Sequence, residues 1–262
     1  MEEDSIGLVE NQFPLGTAVV YTAACPGEER TNEDALALIP YGDEALIFVV
    51  ADGMGGARSG QKASALIVKE LISAAKSATP DSNALRGVIL NAMEEANQKV
   101  RALGVGAAAT LAVVQYQARR MRAYHAGDAG ALLFGQRGKL KFETVSHSPV
   151  GLGVEAGFLG STEAMHHEER HLVTNVVGSP EMMIEMGPHR KMATCDTLVV
   201  ASDGLFDNLH VEEIIAALRT GPLRESVDRL VQETRRRMEN PAEGVPSKPD
   251  DLTVIAFRRS AG

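Results

Sequence analysis

Val49-Val50-Ala51-Asp52-Gly53-Met54-Gly55-Gly56 is the stretch on which the reading of this chain turns. An apolar run, residues 45–51, ends on an aspartate, and glycines follow at once. A short apolar run closed by Gly reads as a buried strand followed by a tight turn. The aspartate then stands at the exposed end of a rigid element, and the glycines let the backbone pass close to whatever it holds. Alone, this is an ordinary turn, because Asp and Gly are default turn residues. Its weight comes from other acidic turns that repeat the arrangement.

On the N-terminal side, residues 16–24 and 35–39 are strand-like, separated by the Pro26-Gly27 break and by polar Thr31-Asn32-Glu33-Asp34. On the C-terminal side, residues 61–76 and about 83–103 carry apolar residues at helical spacing. Strand candidates follow at 109–115, 121–126 and 131–134, with Gly127-Asp128-Ala129-Gly130 as one of the turns. Residues 146–171 have weak periodicity and read as an irregular insert, and 172–177 resume an ordered, β-prone pattern. Residues 197–201 form another buried-strand candidate that ends on acid, in Ser202-Asp203-Gly204. Residues 211–219 and 225–238 are helical, 240–249 form a loop, and the last strand, 252–257, is entered from Asp250-Asp251. No repeat or linker divides the chain, so one domain over 1–262 is expected.

Composition excludes several classes. At 262 residues the chain can bury a substantial core. Lys plus Arg is 26 against 35 Asp plus Glu, a net charge of −9, which disfavours nucleic acid and anionic membrane as partners. Trp is absent, so a stacking platform for single strands is not expected. Cys25 and Cys195 are far apart and in no metal-ligand spacing, which points to a reducing compartment. The first dozen residues are polar and acidic, without the pattern of a signal peptide. No apolar run approaches a membrane span. A cytoplasmic protein is expected.

Glu33 and Asp34 precede one strand candidate, Asp52 ends another, Asp128 lies in a turn, Asp203 ends a third strand and Asp250 precedes the last. Carboxylates brought together at strand ends repel unless cations neutralise them. Hard oxygen ligands select Mg²⁺, Mn²⁺ or Ca²⁺ over zinc or copper. A two-metal site of this kind lowers the pKa of a water and clamps the charge of an in-line displacement at phosphorus.

Arg30-Thr31-Asn32-Glu33-Asp34, Asp52-Gly53-Met54-Gly55-Gly56, Gly127-Asp128, Ser202-Asp203-Gly204-Leu205-Phe206-Asp207 and Asp250-Asp251-Leu252-Thr253 resemble, in order, the motif series of the PP2C-type (PPM) metal-dependent protein phosphatases. The resemblance runs from about Gly16 to Phe257. It implies an α+β fold, a four-layer α-β-β-α sandwich with two antiparallel sheets. It implies hydrolysis of phosphoserine or phosphothreonine by metal-activated water, without a phosphoenzyme. Asp52 would bridge two Mn²⁺ or Mg²⁺ ions, with the Gly53 carbonyl on one of them. Asp203 and Asp250 would share the first ion with Asp52, and Glu33 would serve the second. Asp34 would orient the water, and Asp128 with Asp203 matches the place of a third ion. Residues 146–171 correspond to the family's flap. The expected partners are a phosphorylated protein and its Ser/Thr kinase, with the phosphatase a monomer.

The chain departs from the family at several points. Arg30 lies three residues before Glu33, where the family's phosphate-binding Arg lies four before, and Arg58 is an alternative substrate-binding residue. Ala129-Gly130 replaces a usual Ser-Arg. The alternative reading is a catalytically weak pseudophosphatase that binds metal or phosphoprotein. His167-Glu168-Glu169-Arg170-His171 matches the zinc-peptidase pattern H-E-x-x-H. The β-prone residues that follow do not continue a helix face, and this argues against zinc. The stretch 53–60 lacks the Gly-Lys-Ser/Thr ending of a nucleotide-phosphate loop.

Overall fold

An unbroken apolar run is stable in a strand only if both of its faces are covered. In the computed structural model, which describes residues 6–27, 31–54, 58–81, 83–104 and 106–260, this is how residues 45–51 are used within β4 (Ala45–Met54). Leu46, Phe48 and Val50 face one core, while Ile47, Val49 and Ala51 face another. Side chains alternate across a strand, so one run serves two cores at once.

β4 lies inside a sheet ordered β10 (Arg190–Lys191), β6 (Arg120–Ala126), β5 (Ala108–Gln117), β4, β3 (Asp34–Tyr41), with β9 (Glu185–Met186) also against β6. The second sheet is ordered β1 (Ile6–Phe13), β2 (Gly16–Ala23), β12 (Leu252–Arg259), β11 (Thr197–Ala201), β7 (Gly130–Phe134), β8 (Leu140–Glu143). The paired strands are antiparallel throughout. The sheets pack through a middle core that includes Phe48, Tyr116, Leu198 and Phe257. α1 (Arg58–Ser77) and α2 (Leu85–Ala102) cover the outer face of the first sheet, with Ala63, Ile67, Leu71 and Ala75 as one inward stripe of α1. α6 (Val211–Leu218) and α7 (Leu223–Glu239) cover the second sheet. The result is the expected four-layer α+β sandwich.

Three segments differ from the sequence reading. β1 is a strand that the sequence reading did not include: its apolar residues Leu8, Val9 and Phe13 do not alternate regularly, and it is an edge strand held by its ladder to β2. The segment 146–171 contains α3 (Pro149–Glu155), α4 (Ser161–Ala164) and a 3₁₀ turn, Glu168–His171, where an irregular insert was expected. The β-prone residues 172–177 supply only an isolated bridge, Val177 to Ala109. No helix among the described residues is long and apolar enough to cross a membrane.

Candidate functional site

The antiparallel register sets Asp34 directly opposite Asp52. Asp52 continues the face of Leu46, Phe48 and Val50, and Asp34 that of Leu36 and Leu38, so both lie on the side of the other sheet. Like charges directly opposite on adjacent strands destabilise each other. The second sheet brings more acid to the same end. β11 leads through Ser202 into Asp203, the first residue of α5 (Asp203–Phe206). Asp250 lies just before β12, and Asp128 lies in the turn from β6 to β7. The two sheets are tied here by Ser202, whose hydroxyl donates to Asp34 Oδ2 at 2.8 Å and accepts from the Thr253 N–H at 3.0 Å.

The electrostatics single out the same set. Burial pushes the Asp52 carboxyl well above the ordinary range, and the charges of Asp34, Asp203, Asp128 and Asp250 push it further. Burial likewise raises Asp34 to about 8. It raises Asp128 to about 7, with Asp203 adding to the shift. Asp250 is also raised, by burial and then by Asp203. Asp34 Oδ1, Asp128 Oδ1 and Asp203 Oδ1 are buried without a hydrogen-bond partner. Such oxygens are costly unless something completes them. An all-oxygen, anionic donor set with open positions fits hard divalent cations.

The backbone around the cluster is packed too tightly for side chains. A Cβ on Gly53 would lie 2.3 Å from the Gly60 carbonyl oxygen, and one on Gly204 would lie 2.0 Å from that of Asp251. The Gly53 N–H donates to the Glu33 carbonyl at 3.1 Å, and Ser64 Oγ donates to the same oxygen at 2.5 Å. The Asp251 carboxylate accepts the N–H groups of Cys25 at 2.7 Å and Glu33 at 2.6 Å. Glu33 is therefore pinned through its backbone, with its carboxylate against Gly60.

Among the described residues, the cluster contains one ammonium, Lys248, paired with Asp203, Asp207 and Asp250. Burial works to lower its pKa, but the three carboxylates override this and hold it above the ordinary lysine range.

The structure thus gathers Asp34, Asp52, Asp128, Asp203 and Asp250, with Gly53 and Glu33 beside them. Arg30 and the side chain of Arg58 lie outside the described residues. Ser202, Asp251, Lys248 and Asn208 were not singled out from sequence. Ser202 and Asp251 adjoin predicted acids, and that adjacency was the available signal.

The H-E-x-x-H stretch does not form an α-helical face. His167 caps the 3₁₀ turn, its Nδ1 accepting the Glu169 N–H at 3.1 Å. Another group, His125, His147 and Glu185, has ligand atoms within 4.8 Å of one another. The His125 and His147 rings stack at 4.4 Å and 19°, so their in-plane lone pairs do not converge on one ion. His147 Nδ1 accepts the Gly127 N–H at 3.1 Å, which leaves its proton on Nε2, toward Glu185 at 3.0 Å. This group braces the turn that carries Asp128.

Residues 24–242 match the model of a family described as protein phosphatase 2C. The chain is 29% identical over 238 residues to protein phosphatase PhpP of Streptococcus pneumoniae, covering 87% of this chain and 92% of PhpP. It is 27% identical over 223 residues to serine/threonine protein phosphatase PstP of Mycobacterium tuberculosis, covering 80% of this chain and 40% of PstP. Among solved structures, the serine/threonine phosphatase of S. agalactiae superposes with a TM-score of 0.78 at 25% identity, covering 93% of this chain and all of that one.

Proposed function

Because the chain belongs to the protein phosphatase 2C family of metal-dependent serine/threonine phosphatases, we propose that the acidic end of its sandwich is the reaction centre. The enzyme is a phosphoprotein hydrolase. In this reading Asp52, Asp203 and Asp250 would hold one ion, Asp52 with the Gly53 carbonyl and Glu33 would serve a second, and Asp128 with Asp203 would offer a third place. Manganese or magnesium is the ion that suits an all-oxygen set. When bound, such ions supply Lewis acidity toward phosphoryl oxygens and lower the pKa of water.

The chain's own residues do the rest. The Ser202 hydroxyl fixes Asp34 through Oδ2, leaving Oδ1 to accept a proton from the attacking water. Asp251 holds the Glu33 strand entry in place from the other sheet. Arg30, or Arg58 in its stead, binds the phosphate. The whole chain, 1–262, acts as one catalytic unit, a monomer that opposes a Ser/Thr kinase. Its free cysteines, Cys25 and Cys195, suit the cytoplasm.

The convergence of buried aspartates with unpartnered oxygens is the observation that carries this reading. The test is phosphate release from a phosphothreonine peptide by wild type and Asp203→Asn, each with Mn²⁺ and with EDTA. Turnover is expected only with metal, and Asp203→Asn should lose roughly 100-fold or more. A folded wild type that is silent across Mn²⁺ and Mg²⁺ titrations would favour the binding-module alternative.

A further inference from the structure

The Lys248 ammonium lies 2.5 Å from Asp203 Oδ2 and 3.2 Å from Asp250 Oδ2. It is 2.8 Å from Asp207 Oδ2, an ion pair without hydrogen-bond alignment. An ammonium has three donors and no acceptor, and three carboxylates surround this one.

The position is built into the fold. The Lys248 N–H donates to Asn208 Oδ1 at 2.8 Å, and its carbonyl accepts from Asn208 Nδ2 at 2.9 Å. The same Asn208 amide donates to the Gly204 carbonyl at 2.9 Å, one residue from Asp203. Asn208 is fully buried, and its own carbonyl accepts from Arg237 Nη1 at 2.9 Å. Ser247 Oγ anchors the preceding residue to the Arg237 carbonyl at 2.8 Å. The backbone that presents the ammonium is thus fastened to the turn that presents Asp203.

This placement has a consequence for any ion at Asp203 and Asp250. The lone pairs that accept from the ammonium are not open to a metal, and two cations at that spacing repel. We propose that Lys248 is a resident cation of the acidic centre and that a divalent ion enters the Asp203–Asp250 side by exchange with it. The ion takes the two carboxylates, and the ammonium withdraws onto Asp207. The inference rests on the reading of the acidic end as a metal centre. Without ions, Lys248 holds buried carboxylates together. With ions, it sets how much metal the centre needs.

The experiment is calorimetric Mn²⁺ titration of EDTA-stripped wild type, Lys248→Met and Lys248→Gln, with thermal melts of each. The tightest Mn²⁺ Kd should fall roughly tenfold in both variants once the competing cation is gone. The metal-free Tm should drop by roughly 5 °C, and saturating Mn²⁺ should close that gap. Lys248→Gln keeps a neutral donor on a chain one bond shorter, so it tests the charge even if Lys248→Met does not fold without metal. Unchanged or weaker Mn²⁺ binding in a folded variant overturns the exchange. A folded wild type that binds no Mn²⁺ overturns the metal-centre reading itself and the exchange with it, so the two failures are distinguishable.

Discussion

Around Arg237, donors and acceptors match, whereas around Asp52 they do not. The Arg237 side chain is largely buried, and its guanidinium reaches Glu213 at 2.6 and 3.1 Å, Glu233 at 2.9 Å and the Asn208 carbonyl at 2.9 Å. Glu213 is held below the ordinary carboxylate range by its hydrogen bonds to Arg237. Glu233 is pulled down to about 2, by Arg236 first and Arg237 next. At the Asp52 end the carboxyls shift the opposite way, and buried oxygens lack partners. A polar network that the fold completes by itself serves the fold. One that the fold leaves incomplete is held open for a ligand, and its cost in stability is carried by the rest of the molecule.

The sharpest way to break this comparison is Asp52→Asn. Phosphate release with Mn²⁺ should fall by roughly 1,000-fold, since one residue reaches both proposed ions. The metal-free protein should instead melt higher, by a few degrees as a rough expectation, because a neutral amide is spared the cost of keeping a buried carboxyl protonated opposite Asp34. Melts in EDTA check the second half, and a lower Tm would mean that this cost does not govern this end of the sandwich. Arg237→Met should show the reverse pattern. Its Tm should fall by about 5 °C, tempered because Glu213 and Glu233 are 39% and 38% exposed. Turnover at saturating Mn²⁺ should stay within about threefold, because Arg237 touches no reacting group. A large activity loss in Arg237→Met would join the two clusters into one functional unit.

The same contrast separates what was legible in the sequence from what was not. Asp52 and Asp203 were readable because each ends a run buried on both faces, where a lone acid stands out. Asp128 and Asp250 carried the same signal, a carboxylate at a strand boundary. The sandwich itself needed the family's motif order, since periodicity gives strands and helices but not which sheet each strand joins. β1 escaped because its apolar residues lack a regular alternation, and an edge strand held by its ladder does not require one. Lys248 escaped for a different reason. It lies in a proline-rich loop without periodicity, and its partner Asp203 is 45 residues away. Only the Asn208 clamp, itself invisible to pattern, says where that side chain goes. Arg237 reads as one of three consecutive arginines on a helix, and burial alone sets it apart from Arg236.

The smallest effect, and the one that sharpens the comparison most, is the sign of the pH dependence. Asp34 moves from 3.8 to about 8 on folding without metal. Between those values the folded protein keeps a proton that the unfolded chain has released, so stability falls as pH rises through the window. Glu233 moves from 4.5 to about 2. There the unfolded chain takes up the proton first, so stability is present above 4.5 and is lost as pH falls toward 2. Glu233 is part-exposed, and its share is correspondingly small. Melts in EDTA should therefore show Tm declining from about pH 5 to pH 8, with a separate decline on the acid side that Glu233→Gln shallows. Mn²⁺ should flatten the first decline, because cations favour the ionised carboxylates, and should leave the second unchanged. A metal-free Tm that is level or rising from about pH 5 to pH 8 would show that the aspartates are already neutralised within the fold, and the distinction between the completed and the open cluster would fail.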